Sequence, residues 1–257
     1  MTDKKNAEST YLDVQAEVGI TKHIGGFEAT DALLALCHIA AAREVLYVGC
    51  GIGVGPVYVA RKFGCRVAGV DISEKMLAWS RQRAREEEVE DKVEFRLGNI
   101  LALPFEAGRF DAVLVESVVV FVEDKAQAIR ECVRVARPGG YVGLNEVFWV
   151  KPATPEMVAS ARREMGGEVL PVQAWQSLWK QSGLAGQVVQ VREIDARREL
   201  SGRVRWVGTR WALRALGRLA RLALTNPQAR QAIQEQWGGT LEKSASLGYG
   251  LFAGRKQ

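Results

Sequence analysis

Histidine and cysteine are scarce in this 257-residue chain, and their scarcity argues against several kinds of site. Only two histidines are present, and none of the cysteines forms a Cys-x-x-Cys pair. The four cysteines are Cys37, Cys50, Cys65 and Cys132. A zinc site, another metal site or a disulfide framework is therefore not expected. This cysteine usage predicts a cytoplasmic protein, because the cytoplasm keeps thiols reduced.

Long apolar runs are also missing, and no export leader is expected. No apolar stretch reaches the roughly 18 residues that a membrane-spanning helix requires. The best candidate, Ala112–Val122, is short and is interrupted by Glu116. Met1–Thr10 is polar and charged and lacks the apolar segment of a secretory signal. With 47% hydrophobic and 25% charged residues, the composition predicts an ordinary globular protein.

Short β-branched runs alternate with helical periodicity over the first 150 residues. Strands are predicted at Val45–Val48, Arg66–Val70, Val93–Leu97, Asp111–Val115 and Tyr141–Val147. Helices are predicted at Thr30–Ala42, Pro56–Phe63, Ser73–Glu88 and Asp124–Ala136. Strands separated by helices of this length form right-handed β-α-β units, which predicts a parallel sheet covered on both faces.

The regular alternation stops at Val150. Beyond it the sequence predicts helices at Met157–Met165 and Pro171–Gln181, strands at Gln187–Ile194 and Leu247–Gly254, and a basic helical region at 195–243. The prediction is one α/β domain with a seven-stranded doubly wound sheet and a helical lid insertion. Its core would comprise about 31–150, 171–194 and 244–257, and its lid about 11–30, 151–170 and 195–243.

The glycine-rich turn Gly49–Gly55 follows the first predicted strand and opens a helix. Such a turn lets the backbone approach a ligand closely and points helix N–H groups at it. A dinucleotide fingerprint would need glycine or alanine where the chain has Val54 or Pro56, so both registers fail. No Gly-x-x-x-x-Gly-Lys-Ser/Thr occurs, which also excludes a P-loop.

The turn resembles motif I of class I S-adenosylmethionine-dependent methyltransferases, and further signals follow at the usual spacing. Asp71 ends the second strand, where a carboxylate can hold both ribose hydroxyls. Asn99 follows the third strand, where that family usually has an acidic residue that accepts from the adenine amino group. The chain is similar to the small-molecule ("type 11") branch, and the similarity covers about Gly19–Trp149.

The resemblance implies a Rossmann-like fold and S-adenosyl-L-methionine as cofactor. The cofactor-binding residues that it implies are Gly25, Gly26, Gly49, Cys50, Gly51, Gly53, Asp71, Ile72, Asn99, Ile100 and Glu116.

The stretch Gly25–Thr30 resembles the Gly-Gly-Leu-Glu-Ala-Thr segment of phosphoethanolamine methyltransferases, which lies over the cofactor and the substrate entrance. That family has a tyrosine where this chain has Thr21, and a histidine where it has Ser117–Val120. The departures argue against phosphoethanolamine as the acceptor. An N-terminal lid with paired glycines is still expected.

Methyl transfer requires the nucleophile, the methyl group and the sulfur to lie in line, and a hydroxyl or carbon acid also needs a base. Glu116, Glu146 and His23 are the candidate catalytic residues. Glu116 lies in an apolar strand, so it either holds the methionine amino group or has a raised pKa. Glu146 either binds a cationic acceptor, acts as a base or is a solvated strand end. His23 either reaches the substrate or is a surface histidine, whereas His38 is expected to pack in the core.

Four arginines share one face of a predicted helix at about 206–224, namely Arg210, Arg214, Arg218 and Arg221. This helix either contacts an anionic membrane surface, covers an apolar cavity or presents a solvated charged face. We favour a lid that buries Leu216 and Leu219 and leaves Arg214 and Arg218 in solvent.

The sequence thus predicts methyl transfer to N, O or C of a small, partly apolar acceptor. Two alternatives are a module that binds the cofactor without catalysis and a nucleic-acid methyltransferase. The arginines and a pI of about 9.1 suggest the latter. Against it, no Asn/Asp-Pro-Pro-aromatic stretch follows strand four and no separate nucleic-acid module is visible. A small-molecule partner is expected and nucleic acid is not, and no oligomeric state is predicted.

Overall fold

The computed structural model describes residues 12–21, 23–39, 44–165, 167–194, 196–230, 233 and 246–257. Its strands are β1 (Glu44–Val48), β2 (Arg66–Asp71), β3 (Val93–Leu97), β4 (Phe110–Glu116), β5 (Ala136–Trp149), β6 (Ala185–Glu193) and β7 (Leu247–Arg255). They form one seven-stranded sheet in the order β3-β2-β1-β4-β5-β7-β6. Strands β1 to β5 run parallel, and β7 pairs antiparallel with both β5 and β6. The predicted Rossmann-like seven-stranded sheet is confirmed.

The first two helices precede β1 in sequence, and the other helices lie between the strands. The helices are α1 (12–18), α2 (Gly26–Leu36), α3 (Val54–Phe63), α4 (Glu74–Glu86), α5 (Lys125–Val135), α6 (Pro155–Met165), α7 (Val172–Lys180), α8 (Ala196–Val207) and α9 (Thr209–Thr225). Ser73 caps α4, because its side chain accepts from the Met76 N–H. The helices α8 and α9 are inserted between β6 and β7, which is the predicted position of the helical insertion.

Two apolar layers cover the sheet. On one face, α5 and α7 bury Cys132, Trp175 and Trp179 against β4, β5 and β7. On the other face, α2, α3 and α4 pack against β1 and β2 through side chains that include Leu33 and Leu77. Because both faces are covered, every residue of β1 from Val45 onward is buried, and its sequence is continuously apolar instead of alternating.

The insertion packs on the N-terminal segment. Trp206 and Trp211 join an apolar cluster with Met76 of α4 and Ala16 of α1. None of the helices in the described ranges is long and apolar enough to cross a bilayer.

Several predicted boundaries differ from the structure. The helix predicted at Thr30–Ala42 begins at Gly26 and ends at Leu36, and residues 40–43 lie outside the described ranges. His38 therefore lies beyond the helix with φ at +51°, exposed and beside Tyr141, so its prediction as a packed core histidine is wrong.

The other differences lie in the second half of the chain. Strand β5 runs on to Trp149, two residues beyond its predicted end, because β7 pairs with it over its whole C-terminal half. Gly208 divides the basic helical region into α8 and α9. The prediction for 231–243 falls outside the described residues, apart from residue 233.

Candidate functional site

The carboxyl ends of the parallel strands β1 to β4 meet at one edge of the sheet, and most of the predicted cofactor residues lie at or just after these ends. Gly49, Gly51 and Gly53 follow β1 and have φ angles of +66°, +53° and +79°. These values are in the left-handed region that favours glycine. A Cβ on Gly53 would lie 2.9 Å from the Ser80 backbone, so the close approach of α4 also requires glycine there.

Asp71, the last residue of β2, ties the glycine turn to the neighbouring strand. Its Oδ2 accepts from the Gly51 N–H at 2.8 Å, and its Oδ1 accepts from the Ser73 N–H at 2.9 Å. Burial raises the pKa of Asp71, while these backbone donors oppose that shift. A carboxylate offers about four lone-pair positions, so Asp71 can still accept from a ligand. The next residue, Ile72, exposes 68% of its surface, so an apolar side chain flanks the carboxylate.

The residues after β3 form a tight turn. Asn99 is exposed, and its Oδ1 accepts from the Leu101 N–H at 2.9 Å. The side-chain carbonyl expected to meet an adenine amino group thus already has one backbone donor. Ile100 is buried in the core, and Cys50 is buried in the glycine turn with its Sγ 4.0 Å from Ser80 Oγ. These last two residues can therefore reach a ligand only through their backbone.

The N-terminal segment crosses the same edge of the sheet. The Asn145 amide donates to the Ile24 carbonyl at 2.9 Å, and the Ile24 N–H donates to the Ser117 hydroxyl at 3.3 Å. A Cβ on Gly25 would lie 2.5 Å from Ala29 and 2.9 Å from the Tyr249 ring, so close packing requires glycine there. The predicted N-terminal lid segment therefore lies across the ends of β4, β5 and β7.

A buried polar cluster surrounds Glu116 at the end of β4. We call it the Glu116 cluster; its members are His23, Thr30, Tyr47, Glu116 and Asn145. The Thr30 hydroxyl lies 3.1 Å from both carboxylate oxygens, the Tyr47 hydroxyl donates to Oε2, and the Asn145 amide lies 3.4 Å from Oε1. Burial, followed by the charge of Glu116, raises the pKa of Tyr47 well above its usual value. Glu116 is thus held by donors from within the protein.

His23 belongs to this cluster and is not a surface histidine, because only 7% of it is exposed. Its Nε2 lies 2.9 Å from Thr30 Oγ1, 3.2 Å from the Gly26 carbonyl oxygen and 3.6 Å from Glu116 Oε1. Its ring packs against the Trp206 ring at a tilt of 34°, with a centroid separation of 4.0 Å. The contacts with Thr30 and Glu116 support an interaction between two of the predicted catalytic residues.

The hydrogen bonds assign the tautomer of His23. The Gly26 carbonyl oxygen can only accept a hydrogen bond from His23. The Thr30 hydroxyl donates its one proton to the Glu116 carboxylate, so it too can only accept from His23. Nε2 must then carry the imidazole proton. In the neutral imidazole, Nδ1 is then the nitrogen that keeps a lone pair.

His23 also lines a cavity of about 480 Å³ between the start of α2, the ends of β6 and β7, and α8. Other residues on its wall include Gly26, Phe27, Glu28, Arg192, Glu193, Glu199, Arg205 and Tyr249. The Glu199 carboxylate also accepts from the Gly25 N–H at 2.8 Å. Sequence reasoning missed the residues from β6, β7 and α8, because no motif marks them and only the fold brings them to the paired glycines.

Glu146 lies on the opposite face of β5 from the Glu116 cluster. Glu116 is paired in register with Asn145, and neighbouring residues of a strand point to opposite faces. Its side chain is fully buried, so the interpretation as a solvated strand end is wrong. Its Oε1 accepts from the N–H groups of Val118 and Val119 at 2.9 and 2.6 Å. Within the described residues its Oε2 has no partner, and burial raises its pKa to about 7.

A family model described as "Methyltransferase domain" matches residues 46–144. The chain is 30% identical to the 27-O-demethylrifamycin SV methyltransferase of Amycolatopsis mediterranei over 233 residues, which cover 88% of this chain and 82% of that protein. Alignments with two other relatives span 65% and 48% of their lengths.

Solved structures show the same fold. The geranyl diphosphate methyltransferase in complex with S-adenosylmethionine has a TM-score of 0.64 at 21% identity, with 90% of this chain and 86% of that chain covered. The [4+2]-cyclase SpnF has a TM-score of 0.74 at 20% identity, with 100% and 97% covered. With the family match and the rifamycin relative, the chain belongs to the class I S-adenosylmethionine-dependent methyltransferases and has S-adenosylmethionine as its cofactor.

Proposed function

We propose that this protein transfers the methyl group of S-adenosylmethionine to a hydroxyl group of a small, partly apolar acceptor bound in the cavity beside His23. One observation carries the proposal: a buried histidine in the cavity wall is linked by Thr30 to the Glu116 carboxylate. A neutral amine needs no base, whereas a hydroxyl does. The name of the rifamycin relative, which specifies a 27-O position, agrees with a hydroxyl acceptor.

The residues at the edge of the sheet fit the cofactor. A Cβ on Gly51 would come within 3.2 Å of Thr21 Oγ1, so glycine keeps open the narrow space between the turn and the N-terminal segment. The remaining lone pairs of Asp71 would accept from the ribose hydroxyls, and the exposed side chain of Ile72 would lie against the adenine. Asn99 would use its amide group or its second carbonyl lone pair at the base edge.

The bound cofactor supplies an electrophilic methyl group on a sulfonium, and the protein supplies the base and the positions. Nδ1 of His23 would accept the hydroxyl proton as the oxygen–methyl bond forms and the sulfur–methyl bond breaks. Glu116, with its oxygen 3.6 Å from Nε2, would stabilise the resulting imidazolium. His23 returns the proton to solvent after the product leaves. Trp206, packed against the ring, would keep its orientation fixed.

Glu116 would act in this scheme through His23, because donors of the protein already surround its carboxylate. Glu146 would act as a positioning residue that holds the backbone after β4. Residues 12–21 and 23–30 and helix α8 would together form the lid of the acceptor cavity, since Glu199 and Trp206 of α8 contact Gly25 and His23.

The test compares His23→Asn with His38→Asn, a matched change at an exposed histidine outside the cavity wall. Each variant is incubated with methyl-labelled S-adenosylmethionine and a panel of hydroxyl- and amine-bearing acceptors. We expect His23→Asn to lower turnover on hydroxyl acceptors by about 10²- to 10⁴-fold with little change in cofactor affinity. His38→Asn should retain turnover.

Transfer to amines alone, or full turnover of His23→Asn, would overturn the hydroxyl proposal. Cofactor binding without transfer to any acceptor would favour the alternative of a non-catalytic binding module.

A further inference from the structure

Helix α9 is fixed to the molecule by one face. The Trp211 indole N–H donates to the Gly19 carbonyl at 2.6 Å, and the Arg218 guanidinium donates to the Val18 carbonyl at 2.6 Å. The same guanidinium lies 4.4 Å from the centre of the Trp79 ring. The expectation that Arg218 points into solvent is therefore wrong, because its cation packs on an aromatic ring and completes the C-terminal end of α1.

The outward face of α9 is apolar. Leu213, Leu216 and Leu224 expose 71%, 59% and 80% of their surface, and Ala220 is also exposed. The spacing of these four residues places them within roughly 80° of one another around the helix. The expectation that Leu216 is buried is thus wrong as well. The opposite face of the helix already anchors it to the protein, so packing within the molecule does not explain these three exposed leucines on one face.

Arginines border this apolar strip on one side. Arg210, Arg214 and Arg221 are all exposed and follow the strip along the helix. Arg214 forms an ion pair with Glu86 at 3.0 Å. Among the described residues, Arg210 and Arg221 have no ion-pair partner. Two cations next to an exposed apolar strip are therefore available to an anionic surface.

We propose that the outer strip of α9 (Leu213, Leu216, Ala220 and Leu224) and its bordering arginines form a docking surface for an anionic lipid bilayer. The leucines would enter the boundary between headgroups and acyl chains, while the arginines contact the anionic headgroups. The charge of the surface favours an anionic bilayer over a second copy of the chain. A second copy would bring another strip bordered by arginines, which would repel the first, whereas anionic lipid headgroups complement the arginines. The helix lies on the bilayer and does not cross it.

The position of α9 gives the docking a consequence for the reaction. Only Gly208 separates α9 from α8, and α8 forms part of the cavity wall through Glu199, Gly202 and Arg205. Docking would hold the acceptor cavity close to the bilayer, where a partly apolar acceptor accumulates. This consequence rests on the proposed function, but the docking does not.

The experiment is cosedimentation of the full chain with vesicles of phosphatidylcholine alone or mixed with phosphatidylserine. We expect binding to the anionic vesicles only, with loss at high salt. The triple change Leu213→Gln, Leu216→Gln and Leu224→Gln should weaken binding at least about tenfold. Arg210→Gln with Arg221→Gln should weaken it roughly 10- to 30-fold.

The matched controls change exposed residues elsewhere. Val188→Gln with Val191→Gln alters apolar residues of β6, and Arg66→Gln with Arg85→Gln alters two other exposed arginines. Both controls should bind like the unchanged chain. All changed residues are exposed, and circular dichroism checks that each variant remains folded.

Failure of the unchanged chain to bind anionic vesicles, or equal losses in the controls, would overturn the proposal. Sedimentation equilibrium that shows a dimer dissociated by the leucine changes would assign the strip to a second copy instead. Methyl transfer to a water-soluble hydroxyl acceptor, measured without vesicles, tests the proposed function separately.

Discussion

The buried carboxyl group of Glu146 makes the stability of the protein depend on pH. Burial raises its pKa from the ordinary 4.5 to about 7, although N–H groups of the backbone after β4 and the charge of Lys125 oppose the shift. Between these two values the folded state holds a proton that the unfolded state has lost. Stability contributed by this group is therefore full below about pH 4.5, falls as the pH rises, and is gone above about pH 7.

The magnitude follows from the two pKa values. The difference between about 7 and 4.5 corresponds to roughly 3 kcal/mol of unfolding free energy. Glu146→Gln reproduces the protonated carboxyl group, since the amide oxygen can still accept from Val118 and Val119. The variant should lack the pH-dependent loss. As the pH rises from about 4.5 to 7, the unfolding free energy of the variant should increase by roughly 3 kcal/mol relative to that of the unchanged chain.

Urea unfolding at a series of pH values across this range, followed by tryptophan fluorescence, measures the difference. Glu28→Gln, a change at an exposed carboxylate, is the control and should leave the pH dependence as it is. A stability difference between Glu146→Gln and the unchanged chain that stays constant over the range would contradict a raised pKa of Glu146. It would mean that Glu146 ionises in the folded protein as easily as it does in water.

The remaining predictions concern the cofactor site and its supports. Asp71→Ala should weaken S-adenosylmethionine binding at least about tenfold in calorimetry, because it removes an acceptor for the ribose hydroxyls; unchanged affinity would remove this assignment. Gly53→Ala should lower the unfolding free energy by about 1–3 kcal/mol, since φ is +79° and the α4 backbone is 2.9 Å from the added Cβ. Gly202→Ala, in open space within α8, should not destabilise the chain. Tyr47→Phe should cost about 1.5–3 kcal/mol in thermal unfolding, because Glu116 loses a buried donor; a stabilising effect would contradict the described cluster.

Much of the fold could be predicted from local pattern. The strands at Val45–Val48 and Val93–Leu97 depend on side chains close to one another in sequence, and both are confirmed. The positions of Asp71 and Asn99 could also be predicted. Each lies at the end of a predicted strand, and the carboxyl ends of parallel strands share one edge of the sheet.

The errors arose where several tertiary contacts compete. The arginine pattern of α9 indicated one polar face, but the helix has two apolar faces, and only its contacts with α1 and α4 decide which one is buried. Arg218 lies inside because Trp79, far away in sequence, offers it an aromatic surface. The link between Thr30 and Glu116 joins residues 86 positions apart, which no spacing rule predicts.

A structure of the protein with bound S-adenosylhomocysteine would show whether the Asp71 site and the cavity beside His23 work together. We expect the ribose hydroxyls within hydrogen-bonding distance of the Asp71 carboxylate and the sulfur directed at the cavity that His23 lines. A nucleoside bound elsewhere, or a sulfur directed away from that cavity, would contradict this expectation.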